Sequence, residues 1–525
     1  MSLISFKFLL FCLALLICYF LLPKKVQWFV LLIFSLIFYA FAGIENSIYI
    51  LITSFSSWFS AIWIEKISLK TKNYLKDKKD ITVDEKKIIK ARSKGKKKLI
   101  LIVTLLLNFG ILCVFKYSNF AIEQFNSIIA LIGKGDKINS LSLIVPLGIS
   151  FYTFQTMGYL IDVYWDKNEA CKNPLKLLLF ASFFPQITQG PISNYNQLST
   201  QLFTSHEFDY NHWLYGVQRM IWGFFKKVAV ADLLSSYVSD VFINYNEYAG
   251  ITVLIGIFMY SVQIYADFSG YMDIVCGLCQ IMGIELTENF ERPYFSKSIA
   301  EYWRRWHISL GNWFKSYIYY PIAVSKWNTN LGKNISQKFG KFVGKNLPAS
   351  IALVAVWLTT GLWHGANWGY IAWGGLNGLF IIFSMWMEPV YNWIKAKLKI
   401  GGPIWRCIQV IRTFILVTFI KVLPEANGLK NGLGLWKRIF TEHTIPTSLK
   451  NLLPFASKSA LIIIVLGIVL MFVVSLIQRK GPVRDKLNKL PTIVRVFMLA
   501  VLVSITLLVT LGFNNTGGGF MYAQF

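Results

Sequence analysis

Acidic side chains are scarce in this chain: 26 Asp and Glu stand against 53 Lys and Arg in 525 residues, and all charged residues together make up only 15%. Set against 55% hydrophobic residues and a mean hydropathy of +0.50, that scarcity excludes a water-soluble core. The seven cysteines are scattered, mostly through apolar segments, so there is no disulfide framework. Cys276 and Cys279 have CxxC spacing but lie in an apolar helix without a second ligand pair, and no metal ligand set is present. No internal repeat is evident, which weakens an inverted-repeat transporter reading. No polar stretch is long enough for a separate soluble domain. Histidine occurs only five times, and two of the five, His307 and His364, lie in tryptophan-dense segments.

What fills the chain is hydrocarbon. Spanning a bilayer takes about 20 apolar residues per helix, and by that ruler there are roughly eleven hydrophobic segments, some re-entrant. The first, Leu9 to Leu22, lacks an Ala-x-Ala cleavage site and ends Pro23-Lys-Lys25, which predicts an uncleaved span. The net charge of +27 sits mostly in loops. Residues 66–98 alone hold fourteen Lys/Arg against four Asp/Glu, a cytoplasmic loop by the positive-inside rule. Contact with anionic membrane lipids comes second, and nucleic acid is not a partner. The expected organisation is residues 1–140 as N-terminal transmembrane helices with a basic cytoplasmic loop at 65–98, residues 141–390 as a core, and residues 391–525 as C-terminal transmembrane helices. Within that core, Pro146-Leu-Gly148 and Pro185-Gln-Ile-Thr-Gln-Gly-Pro191 predict broken helices. Interrupted backbone at membrane depth is tolerated where it lines a cavity or is buried in protein.

His364 stands in Ala352–Tyr370, read as one short apolar helix in which Gly361, Gly365 and Gly369 recur at i, i+4 and i+8. They form a small-residue face for a second helix, with His364 about 60° around from Gly361 and Trp368 over it at i+4. An ionisable group in a spanning segment is a functional-site candidate, while a hydrogen-bonded structural histidine in a helix interface fits the residues equally well. In Glu301-Tyr-Trp-Arg-Arg-Trp-His-Ile-Ser309, helical spacing places Trp303 and Arg304 next to His307. Arg304 and Arg305 beside tryptophans suit a membrane-interface helix, or an anionic ligand such as a phosphate. Asp267 is a carboxylate in an apolar helix and demands a partner, either a histidine to orient or an arginine such as Arg304 to neutralise.

Six ordered blocks over residues 146–378 resemble the membrane-bound O-acyltransferase superfamily. The likeness is to its bacterial branch, which includes the alginate and peptidoglycan O-acetyltransferases and the D-alanyl transfer protein of teichoic acid. The blocks are Pro146-Leu-Gly-Ile-Ser-Phe-Tyr-Thr-Phe-Gln155, Phe184-Pro-Gln-Ile-Thr-Gln-Gly-Pro191, Tyr265-Ala-Asp-Phe-Ser-Gly-Tyr-Met-Asp273, Asn289-Phe-Glu-Arg-Pro-Tyr294, Trp303-Arg-Arg-Trp-His-Ile-Ser-Leu310 and Leu362-Trp-His-Gly-Ala-Asn-Trp368. The resemblance implies an all-α integral membrane protein with re-entrant and interfacial helices around a central funnel, in the bacterial plasma membrane. It makes His364 the catalytic histidine and His307 the supporting one. Within the matching blocks Arg304, Arg305, Trp303, Asp267, Asn367, Gln155 and Gln189 are candidate substrate-binding residues. Two departures bear on the subfamily: Lys315-Ser316 stands where Arg-Asp is common, and Ile322-Ala323 where two glycines are common.

The implied function is O-acylation of a cell-surface polysaccharide with a short acyl group, acetyl first. The group is carried from a cytoplasmic thioester donor, acetyl-CoA or an acyl-carrier protein, with no bound cofactor. By the same resemblance, an extracytoplasmic hydrolase-like transferase or a carrier system is the partner. D-alanyl transfer to teichoic acid is the second reading, and a glycan transporter without acyl chemistry the third. The chain closes with Gly517-Gly-Gly519 and Phe520-Met-Tyr-Ala-Gln-Phe525, similar to the aromatic end motif of the teichoic-acid system. There the tyrosine has been proposed to carry the acyl group in transit, so Tyr522 is a candidate acyl carrier, with a frayed tail as the alternative. The carrier reading predicts that Tyr522→Phe, which removes one hydroxyl, abolishes surface acylation at normal protein level. Wild-type ester content in the surface glycan would exclude it.

Overall fold

A computed structural model describes the chain except for residues 2, 79, 134–135, 427, 456 and 513–525 and the side chain of Lys450. Tyr522 and the aromatic end motif lie outside the described residues. The described chain is helical throughout, with a single isolated bridge between Phe290 and Trp306 in place of any sheet. Seven described helices are long and apolar enough to cross a membrane, and an eighth arises if Trp368–Trp386 and Glu388–Lys397, bent by 55°, form one span. The chain is a multi-pass membrane protein. The eleven expected segments are not matched one for one because several apolar runs make shorter helices. Phe6–Leu21 and Ile149–Tyr164 have 16 residues each, a rise of roughly 24 Å against a hydrocarbon core of about 30 Å.

The chain divides into two compact units, residues 1–213 with 279–287, and residues 214–278 with 288–525. In the first, the segment expected as a basic loop is helical. Helix Ser47–Asp77 runs on through its lysines, and helix Val83–Ile132 begins at a capping box in which Thr82 and Glu85 cap each other's backbone. The two pack through small residues: Ile50, Thr53, Ser54, Ser57, Ala61, Ile64 and Ser68 recur at three- and four-residue steps on the buried face. Ser60 Oγ lies 2.7 Å from Thr104 Oγ1, and Asn108 donates to Ser56 Oγ at 3.1 Å. Small polar residues at this spacing allow close approach and hydrogen bonding between helices. Lys97, buried near the apolar end of the basic stretch, pairs with Asp166 at 3.2 Å and donates to Ser68.

Both predicted breaks are present, and they pack on each other. Gly148 has φ +66° and lets Ile149–Tyr164 start abruptly; a Cβ there would fall 1.9 Å from the carbonyl oxygen of Ile187. Ile187 ends the short turn Phe184–Ile187, inside the second break.

The second unit is organised by a pair of helices. Tyr210–Phe224 passes through a π-helical segment, Phe225–Asp232, into Leu233–Ile243, and packs against Gly250–Ile281. Glycines face each other across the pair: a Cβ on Gly223 would lie 2.7 Å from the carbonyl of Gly270, and one on Gly277 2.6 Å from that of Gly216. That closeness brings the charged side chains of the two helices into contact.

At Gly148 any side chain meets both the left-handed backbone and the Ile187 carbonyl. Gly148→Ala is therefore expected to cost about 1–2 kcal/mol for the backbone and a further 1–3 kcal/mol for overpacking. Thermal unfolding in detergent should show it as a clearly lowered midpoint; an unchanged midpoint would mean the two breaks do not need each other.

Candidate active site

His364 is the last residue of helix Lys341–His364, and Gly365 leaves it with extended backbone. Asn367 then caps helix Trp368–Trp386, its side-chain oxygen accepting from the backbone N–H of Tyr370 at 3.0 Å. The expected single helix through Tyr370 is thus two helices in a tight hairpin. The seam Gly361–Gly365–Gly369 divides with it, because Asn367 offers the second helix a start that the apolar pattern alone does not show. Tyr370 fills the space that the glycines leave. A Cβ on Gly365 would meet its ring at 2.3 Å, and one on Gly361 its carbonyl at 2.6 Å.

The imidazole of His364 is 3% exposed and ringed by aromatics. Tyr370 stacks parallel to it at 6.2 Å, while Trp363 and Trp373 meet it edge-on at 4.8 Å each. Its Nδ1 lies 2.7 Å from the carbonyl oxygen of Thr360. A carbonyl only accepts, so Nδ1 carries the hydrogen and the neutral ring presents a lone pair on Nε2. Such a ring can take up a proton at Nε2.

His307 is likewise buried, 2% exposed, and sits in the left-handed region with φ +49°. Helix Ile299–Arg305 ends two residues before it, so the helical spacing expected between Trp303, Arg304 and His307 stops at Arg305. Asn289 holds the corner: its backbone carbonyl accepts from Ile308 N–H at 3.2 Å and its side-chain oxygen from Ser309 N–H at 2.9 Å. Phe268 packs edge-on against the His307 ring at 4.9 Å, and Trp363, the neighbour of His364, reaches it at 6.2 Å. Burial first, and repulsion from His364 whenever that ring is protonated, hold His307 well below the usual imidazole range.

The other candidates divide. Trp303 donates Nε1–H to Asn377 at 2.9 Å and packs on Trp357 and Trp373 at 5.1 and 5.3 Å, which ties it to the wall of the His364 site. Arg305 pairs with Glu301 at 2.7 Å, and Arg304 is exposed. Asp267 pairs with a lysine: it binds Lys227 at 2.6 Å. Lys227 also reaches Asp232 at 2.8 Å. The π-helical segment is what aligns those two, five residues apart on one chain. A second cluster follows on the same helices, with Asp273 between Lys226 at 2.6 Å and Arg219 at 2.8 Å. Gln155 and Gln189 belong to the first unit. Gln155 donates to the Gln186 side chain at 3.0 Å, and both amide atoms of Gln189 are buried with no hydrogen-bond partner among the described residues.

Sequence reasoning missed Lys227, Tyr370, Lys421 and Glu425. Lys421 could have been found, since it interrupts an apolar helix, Gly402–Glu425, much as Asp267 does.

His307 lies between the short helices Ile299–Arg305 and Ile308–Phe314, outside the long spans, and its depressed basicity sets a pH dependence. As pH falls below about 6.5 the unfolded chain takes up a proton at His307 that the folded one refuses, so stability falls with pH. His307→Asn should flatten the fall in unfolding temperature between pH 7 and 5. An unchanged slope would mean that another group carries it.

Residues 171–422 match the family model described as MBOAT, membrane-bound O-acyltransferase. Among curated proteins, the chain is 33% identical over 341 residues to "Probable alginate O-acetylase AlgI" of Pseudomonas aeruginosa, covering 65% of this chain and 60% of that one. It is 30% identical over 378 residues to "Peptidoglycan O-acetyltransferase" of Helicobacter pylori, 67% of this chain and 66% of that one. It is also 29% identical over 293 residues to "Teichoic acid D-alanyltransferase" of Bacillus subtilis, 53% and 68% of the two. The matched region covers between 52% and 61% of the length of the first three relatives. Through residues 171–422, which hold both buried histidines, the chain belongs to the membrane-bound O-acyltransferase family.

Proposed function

We propose that this protein is an O-acyltransferase that moves a short acyl group, acetyl first, from a cytoplasmic thioester across the membrane for O-acylation of a surface polysaccharide. The observation that carries this reading is the His364 ring, buried among aromatics with Nδ1–H on the Thr360 carbonyl, which makes Nε2 the basic nitrogen of the neutral ring. A thioester is already activated and needs only a hydroxyl nucleophile stripped of its proton. Nε2 takes that proton as the hydroxyl oxygen attacks the thioester carbonyl, and the tetrahedral adduct collapses to an ester. The thiolate leaves and recovers the proton from the imidazolium. Apolar walls keep water, the competing nucleophile, from the thioester. The donor is a substrate, acetyl-CoA or an acylated carrier protein, with Arg304 and Arg305 as the cations nearest in sequence to the site for its phosphates or acidic surface. An extracytoplasmic transferase finishing the transfer is the proposed partner.

Likeness to a teichoic acid D-alanyltransferase supports D-alanyl transfer from a carrier protein as the second reading. A transporter without acyl chemistry gives no use to the base. His364→Ala should lower acyl transfer by about 10² to 10⁴ while the protein still inserts and purifies as a single species. Ester content of the surface glycan measures it in cells. Ester content within a few-fold of wild type would overturn the assignment and favour a transporter, and D-alanyl instead of acetyl esters would select the second reading.

A further inference from the structure

The last turn of helix Gly402–Glu425 carries two ionisable side chains that stand outside all six motif blocks. Lys421 is 5% exposed, and among the described residues no carboxylate oxygen lies within 4.0 Å of its ammonium. Its surroundings are aromatic instead. Nζ sits 3.6 Å from the ring centroid of Trp306 and 5.1 and 5.2 Å from those of Tyr294 and Tyr302, and it donates to Tyr294 Oη at 3.1 Å. Tyr294 in turn donates its hydroxyl hydrogen to the carbonyl of Ser261. An ammonium is costly to bury without a counter-ion, and ring faces of tryptophan and tyrosine are the uncharged groups that best offset that cost. The most tightly held of these rings, Trp306, is the residue before the left-handed turn at His307.

Glu425 lies one turn further on the same face of the helix. Its carboxylate accepts from Tyr370 Oη at 3.3 Å, and Tyr260 donates to it as well. Tyr370 is the ring stacked on His364. Close packing fixes this corner: a Cβ on Gly369 would lie 2.6 Å from the carbonyl of Leu423. One helix turn thus ends at both histidines, through a cation on the ring beside His307 and through a carboxylate on the phenol above His364.

We propose that Lys421 and Glu425 are positioning residues for acyl transfer, Lys421 by fixing Trp306 and the His307 turn, Glu425 by fixing the Tyr370 ring against His364. The proposal rests on the acyltransferase reading for its kinetic consequence, but not for its geometry. The test uses the full chain in lipid nanodiscs. The variants are Lys421→Met, which keeps length and removes charge, Lys421→Arg, which keeps a cation, and Glu425→Gln and Tyr370→Phe, which weaken or remove one hydrogen bond. The first readout is turnover against acetyl-CoA concentration. A small displacement at a reacting group costs up to about a hundredfold, so Lys421→Met and Glu425→Gln should lower kcat on the order of tenfold to a hundredfold with KM within about twofold. Lys421→Arg should recover most of that loss. The second readout is the rate of diethyl pyrocarbonate modification of each imidazole, mapped by mass spectrometry, which needs no activity. His307 should be modified faster in Lys421→Met only, and His364 faster in Glu425→Gln and Tyr370→Phe. If Lys421→Met does not reach the membrane, Tyr294→Phe, which removes the oxygen that receives the ammonium, takes its place.

Turnover and imidazole modification both near wild type in Lys421→Met and Glu425→Gln would overturn the proposal. So would an arginine variant as impaired as the methionine one, since packing and not charge would then be at work. Absence of transfer from acetyl-CoA by the wild-type protein would count against that donor, while the modification pattern would still decide the positioning.

Discussion

The hydrogen bond from His364 Nδ1 to the Thr360 carbonyl is the contact on which the rest of the site depends. It fixes the tautomer, and so decides which nitrogen is a base. It also turns the ring back along its own helix, onto the carbonyl one turn earlier. The helix ends at His364, and the chain leaves through Gly365 and restarts at the Asn367 cap. The returning helix must then come very close, and it does so on Gly361 and Gly374, whose Cβ atoms would fall 2.6 Å from the Tyr370 carbonyl and 2.4 Å from the Trp357 carbonyl. Any bulk on those glycines would push the hairpin apart and lift Tyr370 from the imidazole.

His307 is held from a different direction. Helices Tyr210–Ile243 and Gly250–Ile281 are locked in register by Lys227 between Asp232 and Asp267 and by Asp273 between Lys226 and Arg219. Breaking one partner of a buried pair costs about 3–5 kcal/mol, because the other is left charged and alone. Slippage of one helix along the other would do that to two clusters at once. Phe268, which packs on His307, is the residue after Asp267. The ion pairs therefore fix where that ring stands.

Much of this was legible in the sequence, and the gaps have physical causes. A lone imidazole in an apolar run marks His364 because burial there needs a reason, and the Pro and Gly pairs at 146–148 and 185–191 mark broken backbone because few residues tolerate it. The helix end at His364 was obscured because apolar spacing runs straight through the hairpin, although Asn367 is a cap residue by type. Lys227 was missed as the partner of Asp267 because a pair 40 residues apart is made by packing, which periodicity does not record. Charge in the basic stretch at 65–98 reports the side of the membrane and not the backbone, which is helical on both sides of residues 78–82. Thr82 and Glu85, three apart, were the local signal for a helix start.

Aromatic side chains resolve a conflict built into such a site. A base that must stay neutral and dry needs apolar walls, yet a membrane interior penalises every polar atom left without a partner. Trp and Tyr wall the site with rings, and several of them send their polar atoms to other residues. Trp303 Nε1 goes to Asn377, Tyr370 Oη to Glu425 and Tyr294 Oη to the Ser261 carbonyl. Aliphatic walls would be as dry, but they would offer Lys421 no face and Glu425 no donor, and the two charges at the end of helix Gly402–Glu425 would have no place there. Tyr370, which covers the imidazole, also donates to the Glu425 behind it, while Lys421 rests on a second set of rings, Trp306, Tyr294 and Tyr302.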